Sequence, residues 1–149
     1  MILKRILLIL LLLSISKFSH TPHLQVTNLN SWSNASVWDH KATLWSVLHP
    51  GSPFYTSYSY GFDLEFILRK LAHISFFGLL ALLIYWNFKK SSLQYLKAWF
   101  FLACFAFLDE LHQAFIIGRD GRIIDVGIDS FGGALFLFLL YKYKKISNS

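Results

Sequence analysis

Charge is what this sequence has least of, and acid above all: 15% of its 149 residues are charged, and only eight are Asp or Glu against 14 Lys or Arg. With 55% hydrophobic and 18% aromatic residues, the chain carries more apolar surface than a soluble domain of this size can bury, so that surface needs lipid. Cysteine is nearly absent. The single Cys104 lies in an apolar run, which excludes an intramolecular disulfide and a dithiol redox motif and leaves helix packing as its expected role. The three prolines, Pro22, Pro50 and Pro53, all fall in one polar stretch. The net charge of +6 raises the question of nucleic acid, but the basic residues flank apolar segments and form no continuous stripe. Membrane topology explains them, and no nucleic-acid partner is expected.

What is present is a succession of apolar segments. Ile6 to Ile15 follows Lys4 and Arg5 and ends in Ser14-Ile15-Ser16. Two readings stay open for it: a cleaved signal peptide, or a retained helix over residues 1–18, spanning roughly 27 Å with Lys4 and Arg5 snorkelling to the interface. Retention is the expectation. Three further spans are predicted over Phe66–Trp86, Tyr95–Ile117 and Ile123–Tyr141, joined by connections of a few residues and therefore antiparallel. The expected fold class is all-α, a polytopic membrane bundle of about four transmembrane helices. Length leaves no room for a soluble catalytic domain.

Residues 19–65 are rich in Ser, Thr, Asn, His and Tyr and form the expected extracytoplasmic loop. Trp38, Ala42, Trp45 and Leu48 recur at helical spacing, which predicts a short interfacial helix; a locally folded loop without it is the competing expectation. Asn34-Ala35-Ser36 fits a glycosylation sequon, a pattern too short to carry weight. In a four-span arrangement Lys4, Arg5, Lys89, Lys90, Lys97, Lys142, Lys144 and Lys145 fall on one side without a single acid. By the positive-inside rule both termini are expected in the cytoplasm, with residues 142–149 a basic tail suited to anionic lipid. All eight acids then lie on the other side.

The chemistry gathers there. Lys70, His73 and Phe77 share one helical face. Asp109, Glu110 and Gln113 sit within about 100° of arc near the end of the third span. Asp125 and Asp129 follow one turn apart beside Gly132 and Gly133, which permit close helix approach. The turn Gly118-Arg119-Asp120-Gly121-Arg122 brings two arginines whose planar forks suit carboxylate or phosphate. Lys70, His73, Asp109, Glu110, Gln113, Arg119, Arg122, Asp125 and Asp129 are thus expected to converge on a polar binding cavity in the outer leaflet. The competing expectation is a structural ion-pair network, for instance Asp125 with Arg119 and Asp109 with Lys70. Carboxylates at such depth are costly, at roughly 2.5 to 3.5 kcal/mol each at mid-bilayer, and persist where they meet a partner or a wet cavity. His112 lies about 100° from Gln113 and is left outside the cluster.

In order and spacing, Lys70-x-x-His73-x-x-x-Phe77, Asp109-Glu110-x-x-Gln113, Arg119 with Arg122, and Asp125-x-x-x-Asp129-x-x-Gly132 resemble the VanZ-like membrane family over residues 66–141. The chain departs from that pattern in carrying Asp129 where Asn is frequent and Phe136 where a second small residue is frequent. The resemblance implies a polytopic protein of the cell envelope; the family's founder is associated with teicoplanin resistance.

Three functions compete. One is binding of membrane lipid or a lipid-linked wall precursor, with Arg119, Arg122 and Lys70 on phosphate. Another is an enzyme acting on a lipid headgroup, with Glu110 or Asp109 as base and His73 as acid or base. The third is a proton or ion path, which lacks charged residues through the inner halves of the helices. Asp109, Glu110, Asp125, Asp129 and His73 would be hard metal ligands, but scattered oxygen donors are an unspecific pattern, so no cofactor or metal is expected. The sequence leaves the oligomeric state open.

Overall fold

The computed structural model describes residues 2–58 and 63–147. Among them five α-helices form: α1 (Ile2–Ser19), α2 (Leu44–Leu48), α3 (Leu64–Asn87), α4 (Gln94–Gln113) and α5 (Ile123–Ser147). Two 3₁₀ turns lie at Leu29–Ser33 and Pro53–Tyr55. The described residues contain no strand, only one isolated antiparallel bridge between Trp38 and Ile116. The fold is all-helical, and α3 and α5 are long and apolar enough to cross a membrane.

Local chemistry sets the helix limits. The Asp63 carboxylate accepts from the Phe66 amide at 2.7 Å, and this cap starts α3 at Leu64, two residues before the expected Phe66. α4 stops at Gln113 instead of reaching Ile117. The Asp39 amide donates to the Phe115 carbonyl and the Ile117 amide to Val37, so residues after Gln113 pair with the loop instead of continuing the helix. α5 extends through the expected basic tail to Ser147. The interfacial helix over Trp38–Leu48 is largely absent: Asp39 accepts from the Lys41 amide, and a capping box between Thr43 and Ser46 starts α2 only at Leu44.

α3 is central, packed against α1, α4 and α5. Small residues carry the contacts, as they do between helices in lipid: Ala81, Ala98 and Ala106 are fully buried. A Cβ on Gly132 would lie 2.7 Å from the Ile74 carbonyl, so α5 crosses α3 at backbone contact. The departure at Phe136 is matched on the partner helix, because its ring occupies the space beside Gly78. Leu71, Leu79, Phe100, Phe101, Leu108, Phe131 and Phe138 face outward. Cys104 is also exposed, correcting the packing role expected of it. The buried face of α4 follows Leu102, Ala106, Asp109 and Gln113, which leaves Cys104 on the far side.

The two ends of the bundle differ in charge. At one end Asn87 donates to the Lys4 carbonyl, Gln94 to the Tyr85 carbonyl and Lys144 to the Tyr85 hydroxyl, which gathers the basic residues. At the other end the loop folds down as a cap. Val47, Phe54 and Phe115 form a small core beside Phe107 and Leu111, and Glu65 accepts from the Val26 amide and from both Thr27 donors.

Candidate functional site

The capped end holds the polar residues. The turn into α5 decides their placement. Gly118 adopts φ +80°, a left-handed conformation open to glycine. A Cβ on Gly121 would fall 1.9 Å from the Glu110 carbonyl oxygen. Without a side chain there, the Arg122 amide comes within 3.0 Å of Glu110 Oε2. The Gln113 amide nitrogen, one turn on, donates to Glu110 Oε1 at 3.1 Å and to Asp109 Oδ2 at 2.9 Å.

The carboxyl groups are buried: Asp109 is 6% exposed, Glu110 1% and Asp129 0%. His73 Nδ1 lies 3.0 Å from Asp129 Oδ1, while Asp129 Oδ2 is buried with no partner. Asp125 forms an ion pair with Lys70 and accepts from the Tyr58 hydroxyl. Ser19, at the end of α1, donates to Asp109 Oδ2 at 2.7 Å. The ion pairs imagined from sequence, Asp125 with Arg119 and Asp109 with Lys70, are therefore not those present.

The two arginines of the turn part company. Arg122 points into the loop, donating to Thr56 and to the Ser57 carbonyl, with Asp120 3.7 Å away and 69% exposed. Arg119 turns inward to Gln113 Oε1. Burial pulls its guanidinium below its usual range, opposed by the Glu110 charge and reinforced by repulsion from Arg69. Tyr58 lies between Lys70, 4.5 Å from its ring centroid, and Arg122, at 5.5 Å. Burial and the bond to Asp125 push its phenol well above its ordinary value, so it stays a neutral donor.

All nine predicted residues thus meet at one end of the bundle, with Arg122 aimed away from its centre. His112 stands apart, 3.0 Å from His20 and beside the Trp38 ring. Sequence reasoning passed over Arg69, Ser19 and Tyr58. Arg69 carried a signal, a second charge at the depth of Lys70; nothing in the sequence singled out Ser19 or Tyr58.

Two cavities adjoin here. One, of about 460 Å³, is polar, lined among others by Lys70, Glu110, Gln113, Arg122 and Asp125. The other, of about 230 Å³, is almost wholly apolar, lined by Ile15, Phe18, Trp32, Phe76 and Phe77. Leu24, Arg69, His73 and Arg119 line both. The Nε atoms of Arg69 and Arg119 are buried without a partner, and among the described residues neither guanidinium forms an ion pair. Of the five hard ligands, His73, Glu110 and Asp129 each offer an atom within 4.8 Å of the other two.

A family model described as VanZ/LLP1 matches residues 5–145. The match takes in α1 and the loop as well as the three helices in which the resemblance was first seen. No curated protein and no solved structure matches the chain.

Proposed function

This chain belongs to the VanZ/LLP1 family, and on that premise we propose a multi-pass envelope protein that binds an anionic amphiphile, a phosphate-bearing membrane lipid or lipid-linked wall precursor. Four helices, α1, α3, α4 and α5, cross the bilayer with both termini cytoplasmic. Support comes from the segregation of charge: the basic end collects Lys4, Lys89, Lys90, Lys97 and Lys144, and the positive-inside rule makes that end the cytoplasmic one. The cavities then open in the outer leaflet.

One observation carries the reading. Arg69 and Arg119 stand on the wall shared by a polar and an apolar cavity, repel one another and, among the described residues, make no direct ion pair, although the charges of Glu110, Asp109 and Asp125 attract Arg119 from farther off. Two half-buried like charges whose Nε atoms are buried without a partner favour an anion between them. A phosphate held by two guanidinium forks satisfies both, and an acyl or polyprenyl chain suits the neighbouring apolar space. A wall-precursor ligand would connect the chain to glycopeptide resistance.

The test is native mass spectrometry of the detergent-purified protein. The wild type should carry a phosphate-bearing lipid, and the Arg69→Ala/Arg119→Ala double variant should not. Equal lipid retention by both would overturn the proposal.

A second reading, an enzyme acting on the headgroup, draws on one feature: His73 lines both cavities and is oriented by buried Asp129. An imidazole so held is placed to move a proton at the headgroup, with Glu110 beside it. Turnover of a bound phospholipid by the wild type and not by His73→Gln would favour it.

A further inference from the structure

We propose that His73, Glu110 and Asp129 hold a divalent transition-metal ion, of the manganese to zinc class, beneath the wall of the polar cavity. Each residue presents one ligand atom within 4.8 Å of the others. Ligands about 2.1 Å from an ion lie about 3.0 Å apart at right angles and about 4.2 Å apart when opposed. The 3.0 Å between His73 Nδ1 and Asp129 Oδ1 matches the first value, and a small inward movement brings the third ligand within the second.

Two further observations point to a ligand. Asp129 is fully buried, yet its Oδ2 has no hydrogen-bond partner, a cost that an ion held by both carboxylate oxygens would remove. Directly paired positive charge is also scarce in the inner layer. Asp109, Glu110 and Asp129 are all buried, and among the described residues His73 is the one basic group within ion-pair distance of any of them. Lys70 is committed to Asp125, and Arg119 reaches Gln113. A doubly charged ion offsets what these carboxylates leave unbalanced.

The remaining acids are engaged otherwise, Asp109 by Ser19 and Gln113 and Asp125 by Lys70 and Tyr58, which narrows five hard ligands to three. Glu110 is oriented by Gln113 and by the Arg122 amide, the outer partners a ligating carboxylate requires. His73 and Glu110 line the polar cavity, so the ion has a path of entry. One imidazole with two carboxylates suits manganese, iron or zinc better than magnesium. The ion does not depend on the lipid reading, because Arg69 and Arg119 are not among its ligands.

The test uses the full chain in detergent, stripped with chelator and dialysed against Mn²⁺, Zn²⁺ or Mg²⁺, with bound metal measured by atomic emission. The wild type should retain one Mn²⁺ or Zn²⁺ per chain in preference to Mg²⁺. Asp129→Asn and His73→Gln should bind at least about tenfold more weakly, as should Gln113→Leu, which keeps all three ligands and removes an outer partner. His112→Ala should bind as the wild type does, which separates this site from the His20–His112 pair. Pulsed electron spin resonance of the wild-type Mn²⁺ form should show coupling to one imidazole nitrogen, a readout that needs no variant. Absence of stoichiometric metal, absence of that coupling, or loss of metal in His112→Ala in place of Asp129→Asn would each overturn the assignment.

Discussion

Arg119 donates to the side-chain carbonyl of Gln113, not to a carboxylate, although Asp109 and Glu110 stand one turn away on the same helix. Gln113 is the hinge of this arrangement. Its amide nitrogen faces both acids while its oxygen takes the arginine, so the guanidinium is positioned without a direct ion pair.

Function and stability should therefore separate at Arg119. Arg119→Ala removes a half-buried charge that makes no direct ion pair among the described residues, so the melting temperature in detergent should hold or rise while lipid retention is lost. Melting measured beside native mass spectrometry checks this. A protein destabilised by about 3 to 5 kcal/mol, the cost of breaking a buried ion pair, would mark Arg119 as structural instead.

Lys70 and Asp125 should behave in the opposite way. Both are largely buried and directly paired, so Lys70→Met or Asp125→Leu alone leaves an unpaired charge and should cost about 3 to 5 kcal/mol. The double variant should recover most of that loss. Melting of the four proteins as a double-mutant cycle decides it; additive losses would show that the pair contributes nothing as a pair.

Glycine substitutions should differ sharply by position. Gly121→Ala drives a methyl group into the Glu110 carbonyl and should cost about 1 to 3 kcal/mol through overpacking, displacing the Arg122 amide from Glu110. Gly127 lies within α5 with open space around its Cβ position, so Gly127→Ala should leave stability unchanged or raise it by about 0.5 to 1 kcal/mol. Thermal melts of the two variants check the contrast, and equal losses would contradict the turn geometry described above.

Topology is open to direct measurement. Reporters fused after Lys90 or Lys145 should read cytoplasmic, and tags inserted near Trp38 or Arg119 should read external. An external reading at Lys90 would invert the orientation and move the cavities to the inner leaflet.

The helices were legible in the sequence because apolar runs bounded by charge need no tertiary information to be read. Their ends were not. α4 was expected to reach Ile117, but its last turn is lost to the bridge with Val37 and Asp39, a contact across nearly eighty residues that periodicity cannot register. The loop was opaque for the same reason, since Glu65 fixes Val26 and Thr27 from α3. At the site, helical face and depth brought together the predicted residues, but the pairings they suggested, Asp125 with Arg119 and Asp109 with Lys70, are not the ones formed. Arg69 lies about 100° from Lys70 on the helix, on the side that meets α1 and the loop. Which neighbour a helical face meets is a property of the bundle and not of the helix.

In the proposed complex one amphiphile occupies both cavities, its phosphate on Arg69 and Arg119 and its chain in the apolar space. Binding of a short-chain phosphatidic acid to the purified protein, compared with the matching diacylglycerol and with glycerol phosphate, distinguishes this from binding of either part alone. The phosphatidic acid should bind at least about tenfold more tightly than either fragment, since charge-assisted hydrogen bonds contribute about 1.5 to 3 kcal/mol each and a factor of ten is about 1.4 kcal/mol. That advantage over diacylglycerol should vanish in Arg69→Ala/Arg119→Ala. Equal binding of phosphatidic acid and diacylglycerol by the wild type, or an advantage that survives the loss of both arginines, would rule out phosphate recognition by Arg69 and Arg119.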